Sequence, residues 1–450
     1  MSQLTKKSLS LAHDRLNTQL SFLKSDSTEE PDILIQNQKN TSIIIHNRPK
    51  QLNAFRLTMF EDILNHLKEF ESSKSTDMVL LEGRGRAFGT GVDIKDILKR
   101  ITGPHRITEF DYHRQIVFNM TYFIGTMKTP LICFIDGLNF GGTCINSALS
   151  HFNIATENTK ISFPETRFGN FCDAGASFFL SRLNGNIGKY LALTSKTLVA
   201  EDVLFSGIAT HFVPSNLLAT LKEALINLHH PSLSIINQTI ETFAVKPGHI
   251  ATSYTLFGKK RDIVNRCFQF DTVAEIIEAL QNEGSEFSLE TVDQISQGSP
   301  ISVALTLENI RRGYNLSLEQ CLRIDFRLWQ IVPFEDDFRN GILSIVHREK
   351  KPQWSRKDCY AVDFEKDILN RYFNIEEKIP LKLITSKNED RYFTTQGRKF
   401  GLPTEEEVKQ AKRENNLGSD ESIIAWFINQ RNDKYGVREE VEEILARERK

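Results

Sequence analysis

The chain has 450 residues, of which 40% are hydrophobic and 25% charged, a composition typical of globular proteins that excludes a mainly disordered chain. The 56 Lys and Arg residues balance 58 Asp and Glu residues, so the formal net charge of −2 excludes a global basic field for nucleic acid, although a local basic patch remains compatible with it. The sequence contains no apolar run of 18 residues, which excludes a membrane-spanning helix.

The cysteines and the amino terminus bear on the cellular compartment. The six cysteines are far apart and form no CxxC motif, which predicts neither a disulfide scaffold nor a metal site and fits a reducing compartment. Residues 1–25 carry Lys6, Lys7, Arg15 and Lys24 against Asp14, with several Ser and Thr, and they weakly resemble a mitochondrial transit peptide without its strong arginine bias. We therefore predict an N-terminal segment, 1–34, with the character of a transit region.

Between residues 35 and 235 short β-rich runs alternate with helical periodicity. Ser42–Ile45 predicts a buried strand, and apolar residues then recur at helical spacing from Leu57 to Phe70. A second strand is predicted at Met78–Leu81 and a third at Leu131–Asp136, which ends at Gly137. Alternating strands and helices indicate an α/β layer architecture.

The hydrophobic pattern of the sequence changes after residue 235. Residues 236–373 contain helical stripes with few strand signals, so this part is predicted to be helical. Residues 374–450 are richer in charge and form a predicted helical extension, in which Thr404 and Glu407 have the spacing of a capping box. Two further helices are predicted near 421–429 and 438–447.

Two glycine-containing turns follow predicted strands. The first spans 86–94 and includes Gly89 and Gly91; the second spans 136–144 and enters a helix after Gly141 and Gly142. Small residues permit tight turns, and a helix start leaves peptide N–H donors without intrahelical partners. Such turns are commonly structural. The functional alternative is that the two converge and direct two N–H donors at one carbonyl oxygen, forming an oxyanion hole.

Two carboxylates, Glu165 and Asp173, stand eight residues apart in an otherwise apolar stretch of small residues. Burial in such surroundings disfavours the ionised form and can tune a carboxylate as a general base. The structural alternative is that Glu165 caps a turn and Asp173 caps the next helix. The sequence contains neither the HExxH motif of metalloproteases nor the GxSxG motif of α/β-hydrolases.

Taken together, these segments resemble the enoyl-CoA hydratase/isomerase, or crotonase, superfamily, and within it the 3-hydroxyisobutyryl-CoA hydrolase branch. The resemblance covers about residues 35–373 and excludes the extension. The segments that carry it are 47–54 (NRPKQLNA), 85–95 (GRAFGTGVDIK), 137–143 (GLNFGGT), 164–166 (PET), 179–183 (FLSRL) and 207–213 (GIATHFV).

The resemblance implies an α/β fold with a spiral ββα core, a helical C-terminal portion and a CoA thioester as substrate. It implies that the amide groups of Val92 and Gly142 form the oxyanion hole and that Glu165 is the catalytic carboxylate. Asp173 matches a second substrate-contacting carboxylate. Gly141 and Lys95 match substrate-binding positions, with an ordinary surface lysine as the alternative for Lys95. No cofactor is implied, since CoA is part of the substrate.

The chain departs from the family at three positions. Val117 stands where the hydrolases have a glutamate, and Thr143 replaces a third glycine beside the oxyanion turn. Ile145 stands where hydratases have a second acid, which argues against hydratase chemistry. Hydrolysis is less affected because Glu165 and Asp173 are both present.

Two functions follow from the resemblance. One is a 3-hydroxyisobutyryl-CoA hydrolase of valine breakdown in the mitochondrial matrix. The other is a structural role, because a hydrolase-like relative is part of the small subunit of fungal mitochondrial ribosomes, which would make ribosomal proteins and rRNA its partners. The extension interleaves basic and aromatic residues that could contact RNA or equally pack on the protein itself. These residues are Lys387, Arg391, Tyr392, Phe393, Arg398, Lys399 and Phe400.

Overall fold

The computed structural model describes residues 30–102, 106–348, 351–375, 379–384, 399–415 and 417–449. Ile33–Lys450 form one compact unit, and Met1–Asp32 form a second, of which only residues 30–32 are described. The predicted transit region therefore lies almost wholly outside the described residues. Five residues of the predicted basic patch also lie outside them: Lys387, Arg391, Tyr392, Phe393 and Arg398. Within the described ranges, no helix is both long and apolar enough to cross a membrane.

The strands of the described residues form two sheets. They are β1 (Ile33–Gln38), β2 (Thr41–His46), β3 (Met78–Gly83), β4 (Ala87–Gly89), β5 (Leu131–Ile135), β6 (Leu138–Phe140), β7 (Phe152–Ala155), β8 (Lys160–Ser162), β9 (Leu198–Val199) and β10 (His211–Phe212). The larger sheet has the order β1-β2-β3-β5-β7-β10, and the smaller has the order β4-β6-β8-β9. The pairs β1/β2 and β8/β9 are antiparallel, and the other pairs are parallel.

The α-helices complete the layers. They are α1 (Leu57–Ser72), α2 (Ile94–Thr102), α3 (Arg106–Thr126), α4 (Gly142–Ala148), α5 (Ala176–Leu180), α6 (Ile187–Thr194), α7 (Asp202–Phe205), α8 (Leu218–Ile226), α9 (Leu233–Phe243), α10 (Lys259–Cys267), α11 (Val273–Glu283), α12 (Glu286–Ile295), α13 (Pro300–Gly313), α14 (Leu318–Trp329), α15 (Asp336–His347), α16 (Glu405–Glu414), α17 (Asp420–Gln430) and α18 (Val437–Glu448). The predicted helical portion and the three helices of the extension are confirmed. Thr404 and Glu407 form the predicted capping box at the start of α16.

The chain visits the two sheets alternately. β3, β5 and β7 are neighbours in the larger sheet, and each is followed directly by a strand of the smaller sheet and then by helices. This repeated strand–strand–helix order is the predicted spiral ββα core. Gly137 makes the passage from β5 to β6 with φ +115, and a Cβ there would lie 2.3 Å from the carbonyl oxygen of Arg86, so only glycine fits.

The larger sheet is buried on both faces, as expected for parallel strands covered by helices. Along β2, Ile43 and Ile45 belong to a cluster under α8 and α9, whereas Ile44 faces the main core. All six cysteines are buried, and no two of them form a disulfide bond. The chain leaving β4 and β6 of the smaller sheet forms the two glycine turns that build the candidate site.

The extension packs on this core rather than standing away from it. Asn184, after α5, donates to Glu440 Oε1 at 2.6 Å and to the carbonyl oxygen of Pro403 at 3.1 Å. Arg261 of α10 lies 3.5 Å from the Glu440 carboxylate, and both side chains are only 1% exposed. The Phe400 ring lies 5.1 Å from the ring of Phe152 in β7, so its contact is with the protein itself.

Candidate active site

The first glycine turn directs the backbone N–H of Val92 away from the adjacent segment that contains Phe55. The N–H of Phe55 donates to the Gly91 carbonyl at 2.8 Å, and the N–H of Asp93 donates to the Phe55 carbonyl at 2.9 Å. These two bonds flank Val92 in an isolated parallel bridge, so the N–H of Val92 faces away from Phe55. Val92 lines a cavity on that side.

The second turn starts α4. Gly141 is the N-cap residue, with φ +64, and Gly142 is the first helical residue, whose N–H has no carbonyl within the helix to bond. The Thr143 hydroxyl lies 2.8 Å from the Phe140 carbonyl oxygen and 3.1 Å from that of Gly89. Thr143 therefore ties the two turns together.

Both turns line one cavity of about 80 Å³. Its walls contain five of the six predicted site residues, Val92, Gly141, Gly142, Glu165 and Asp173. The sixth, Lys95, is exposed on α2 and does not line it; its backbone N–H donates to Asp93 Oδ1 at 3.1 Å. The other lining residues include Phe60, Ile97, Arg114, Val117, Asn146, Phe168, Asn170 and Trp329.

Glu165 follows β8 as the first residue of a short 3₁₀ helix, Glu165–Phe168, and is 4% exposed. The Cys172 thiol donates to Glu165 Oε2 at 3.6 Å. A Cβ on Gly141 would lie 2.9 Å from Glu165 Oε1, which shows how closely the carboxyl approaches the second turn. Burial, with a smaller effect of the Asp173 charge, raises the pKa of Glu165 to about 8. At pH 7 this carboxyl is mostly protonated.

Asp173 is held by two buried partners. The indole Nε1–H of Trp329 donates to its Oδ2 at 2.5 Å, and Arg114 Nη1 lies 3.6 Å from the same oxygen. Burial raises the pKa of Asp173, while Arg114 and Trp329 act in the opposite direction. The structural alternative for this residue is wrong, because the N-cap residue of α5 is Gly175 and the Asp173 carboxylate faces the cavity wall.

Arg114 and Trp329 are cavity residues that sequence reasoning missed. The Arg114 guanidinium stacks on the Trp329 ring with 3.3 Å between Cζ and the ring centroid, and burial lowers the pKa of Arg114 to about 10. Arg114 precedes Val117 by three residues on α3, so both lie on one helix face. The sequence signal that could have identified Arg114 is a cation three residues before Val117, the position at which the resemblance implies a glutamate. No sequence signal pointed to Trp329.

Asp325 forms a second layer behind Asp173. Its carboxyl accepts hydrogen bonds from the Gly175 N–H at 2.9 Å and from Asn309 Nδ2 at 2.8 Å, and burial raises its pKa to about 8.

Among the described side chains, one group of three potential metal ligands occurs, Asp77, His229 and His230, and none of these lines the cavity. The cavity therefore combines two carboxyls, one arginine and two backbone donors.

The profile of the enoyl-CoA hydratase/isomerase family matches residues 41–373. The chain belongs to this family. Two solved structures of family members share its fold: a carnitinyl-CoA dehydratase from Mycobacterium thermoresistibile and an enoyl-CoA hydratase from Rhodobacter sphaeroides. The first is 26% identical, covers 79% of this chain and 100% of its own, and has a TM-score of 0.71. The second is 26% identical, covers 75% and 96%, and has a TM-score of 0.67.

Two curated relatives of this enoyl-CoA hydratase/isomerase family protein align with different shares of its chain. Human mitochondrial 3-hydroxyisobutyryl-CoA hydrolase is 34% identical over 80% of this chain and 94% of its own length. The small ribosomal subunit protein mS47 of Neurospora crassa is 30% identical over 95% of this chain and 87% of its own. Because the match to mS47 covers 95% of this chain, it cannot leave out the whole region after Phe373. It therefore includes much of the extension.

Proposed function

We propose that the chain is a CoA-thioester hydrolase of the mitochondrial matrix, which converts 3-hydroxyisobutyryl-CoA and water to 3-hydroxyisobutyrate and CoA in valine breakdown. The observation that carries this proposal is the buried Glu165 carboxyl in one cavity with Val92, whose N–H faces away from its bridge partner, and Gly142, whose N–H starts α4 without a helical partner. The name of the human relative supports the substrate and a mitochondrial location.

In the proposed reaction, ionised Glu165 either attacks the thioester carbonyl carbon or takes a proton from an attacking water. In both routes the carbonyl oxygen becomes negatively charged and is stabilised by the amides of Val92 and Gly142, a contact worth about 3 kcal/mol per donor. If Glu165 is the nucleophile, the C–S bond breaks to give an acyl–Glu165 anhydride and CoA thiolate; one water then hydrolyses the anhydride, restores Glu165 and supplies the proton of the thiol. If Glu165 is the base, the attacking water is already part of the acid product, and the proton that Glu165 took from it passes to the departing sulfur as the C–S bond breaks. The Asp173–Arg114 pair fixes the opposite wall of the cavity.

The experiment that tests this proposal is thiol release from 3-hydroxyisobutyryl-CoA by the purified full-length chain, measured with a thiol reagent. We expect release that is lost when Glu165 is replaced by glutamine. No release above the Glu165→Gln background, from protein whose circular dichroism shows it to be folded, would sink the hydrolase proposal.

The pH dependence of kcat/KM should report the raised pKa of Glu165. Because the ionised form is the reactive one, the rate is expected to rise about tenfold per pH unit below pH 7 and to reach half its maximum near pH 8. Removing the neighbouring charge with Asp173→Asn should move this midpoint to lower pH, since Asp173 helps to raise it. A profile that is flat between pH 6 and pH 9 would contradict the assignment of Glu165 as base or nucleophile.

Gly141→Ala should impair hydrolysis by displacing Glu165. The new Cβ would meet Glu165 Oε1 at 2.9 Å, and the φ of +64 is strained for alanine. We expect kcat to fall by about 10–100-fold, because misplacing a catalytic group by an ångström has effects of this size. The matched control is Gly418→Ala in the extension, where a Cβ meets nothing within 4 Å, and its kcat should equal that of the wild type.

A second candidate function is a structural role in the mitochondrial small ribosomal subunit. The observation that favours it is the match to mS47, which extends over the region after Phe373 that the family profile leaves out. Within the described part of that region, Lys399 is exposed, whereas Phe400 packs against Phe152. Of these two described members of the predicted patch, Lys399 is therefore the one available to an rRNA phosphate, because the Phe400 ring is in contact with the protein itself.

Sedimentation of a mitochondrial lysate through a salt-containing gradient tests this second function. A ribosomal component should co-sediment with the small subunit and stay with it after the subunits are dissociated by removing Mg²⁺. Protein that remains entirely in the soluble fractions at the top of the gradient would rule out stable ribosomal membership, whatever the outcome of the thiol assay.

A further inference from the structure

The cavity wall contains a polar side chain to which the proposed reaction gives no role. Asn170 is 3% exposed and lines the cavity with Glu165. Its backbone N–H donates to the Glu165 carbonyl at 3.0 Å, so its position on the turn is fixed relative to the catalytic carboxyl. Gly169 before it has φ +77 and no room for a Cβ, which would lie 2.2 Å from the Asp337 carbonyl oxygen.

The carboxamide of Asn170 lacks a partner within the part of the chain that the structure describes. Its Oδ1 is buried without a hydrogen bond, and the described side-chain bonds include none from its Nδ2. Leaving a buried amide unsatisfied is unfavourable, so such a group indicates a ligand or water that completes its hydrogen bonds. The comparison within the same cavity is Asn146, whose Oδ1 accepts the Thr121 hydroxyl at 2.8 Å.

The chemistry of the cavity selects among ligands for this amide. A neutral carboxamide offers one acceptor and donors, which a hydroxyl group complements because it both donates and accepts. An acyl carboxylate is disfavoured, since Glu165 and Asp173 already place two carboxyls here and Arg114 is paired with Asp173. The volume of about 80 Å³ restricts the acyl group to a few heavy atoms, because engineered cavities of about 150 Å³ hold one benzene ring.

We infer that Asn170 is a specificity-determining residue that binds a hydroxyl on a short acyl chain, and that the chain thereby selects hydroxyacyl-CoA over the corresponding unsubstituted acyl-CoA. This inference rests on the proposed function and deepens it, because it assigns the recognition of the acyl group to one side chain. It predicts that the preference for the hydroxylated thioester over the unsubstituted one depends on Asn170, and not on a difference in carbon skeleton.

The test compares 3-hydroxyisobutyryl-CoA with isobutyryl-CoA, which has the same carbon skeleton without the hydroxyl. We expect wild-type kcat/KM for the hydroxylated thioester to be about 10–100-fold higher, the factor that one to two hydrogen bonds to a buried group provide. Asn170→Leu should lower kcat/KM for the hydroxylated thioester by that factor and change the value for isobutyryl-CoA less than threefold. Asn146→Leu is the matched control, and it should affect both thioesters by the same factor.

Equal losses for both thioesters in Asn170→Leu would overturn the inference, because they would mean that the amide serves the attacking water or the fold. A binding measurement separates this result from failure of the hydrolase proposal. Calorimetric titration of the Glu165→Gln protein with each intact thioester should show tighter binding of the hydroxylated one, and adding Asn170→Leu should remove the difference. A binding preference without thiol release would support Asn170 while contradicting hydrolysis; no preference in the titration would reject the role of Asn170.

Discussion

Replacing Glu165 by glutamine is expected to abolish thioester hydrolysis and to stabilise the folded chain above neutral pH. Loss of the Glu165 carboxylate, which closely approaches the second glycine turn, should lower kcat by about 10³-fold or more. Stability should change in the opposite direction. The pKa of Glu165 is about 8 in the folded state against an ordinary value of 4.5, so folding becomes less favourable as the pH rises through this window.

The stability effect of Glu165 depends on pH in a defined window. Below about pH 4.5 the carboxyl is protonated in both the folded and unfolded states, and its contribution to the free energy of unfolding is fully present. Between pH 4.5 and pH 8 this contribution is lost at up to about 1.4 kcal/mol per pH unit. Glutamine does not titrate and keeps the neutral form. The difference in Tm between Glu165→Gln and wild type, followed by circular dichroism, should therefore grow from pH 5 to pH 8.

Comparing variants at each pH isolates Glu165, because Asp325, whose pKa is also raised to about 8, is present in both proteins. The control is Glu278→Gln at an exposed position on α11, which makes the same chemical change outside the cavity. A constant Tm difference for Glu165→Gln would show that its carboxyl is ionised in the folded protein at neutral pH. Such a result would remove the physical basis of the predicted pH–rate profile.

Breaking the buried Arg261–Glu440 pair should produce the largest loss of stability outside the cavity. Both side chains are 1% exposed, so Arg261→Ala leaves the Glu440 carboxylate buried with Asn184 as its remaining described partner. Removing one member of a buried pair costs about 3–5 kcal/mol. We expect a matching fall in the apparent free energy of unfolding in urea, and faster proteolytic cleavage of the extension, which α18 holds on the core through Glu440.

The chain offers a matched control for this prediction. Arg413 and Glu406 form an ion pair of similar length, 3.3 Å, with side chains 67% and 69% exposed, and Arg413→Ala should change the stability by less than about 1 kcal/mol. The double variant Arg261→Met, Glu440→Leu should be more stable than Arg261→Ala, because no unpaired charge remains. Equal effects of Arg261→Ala and Arg413→Ala would contradict a role for the buried pair in holding the extension.

The local features of this protein were determined by its sequence. The strands Ser42–Ile45 and Met78–Leu81, the stripe on α1 and the capping box of Thr404 and Glu407 were predicted from residues a few positions apart. Hydrophobic periodicity and capping act over one or two turns, so short-range pattern is sufficient for them. The two glycine turns and Glu165 were also identified, because the segments that contain them resemble the family in order and spacing.

The tertiary structure decided which distant side chains meet. Asp173 contacts Trp329 across 156 residues, and Asn184 contacts Glu440 across 256, and no local pattern encodes either pairing. The alternative expectation that Asp173 caps the next helix was reasonable locally and wrong, because packing of α3 and α14 supplies partners that compete with the helix end. Burial produced by that packing also sets the pKa of Glu165. The sequence thus indicated the carboxyl to which we assign catalysis, whereas its protonation and the docking of the extension depend on long-range contacts that only folding creates.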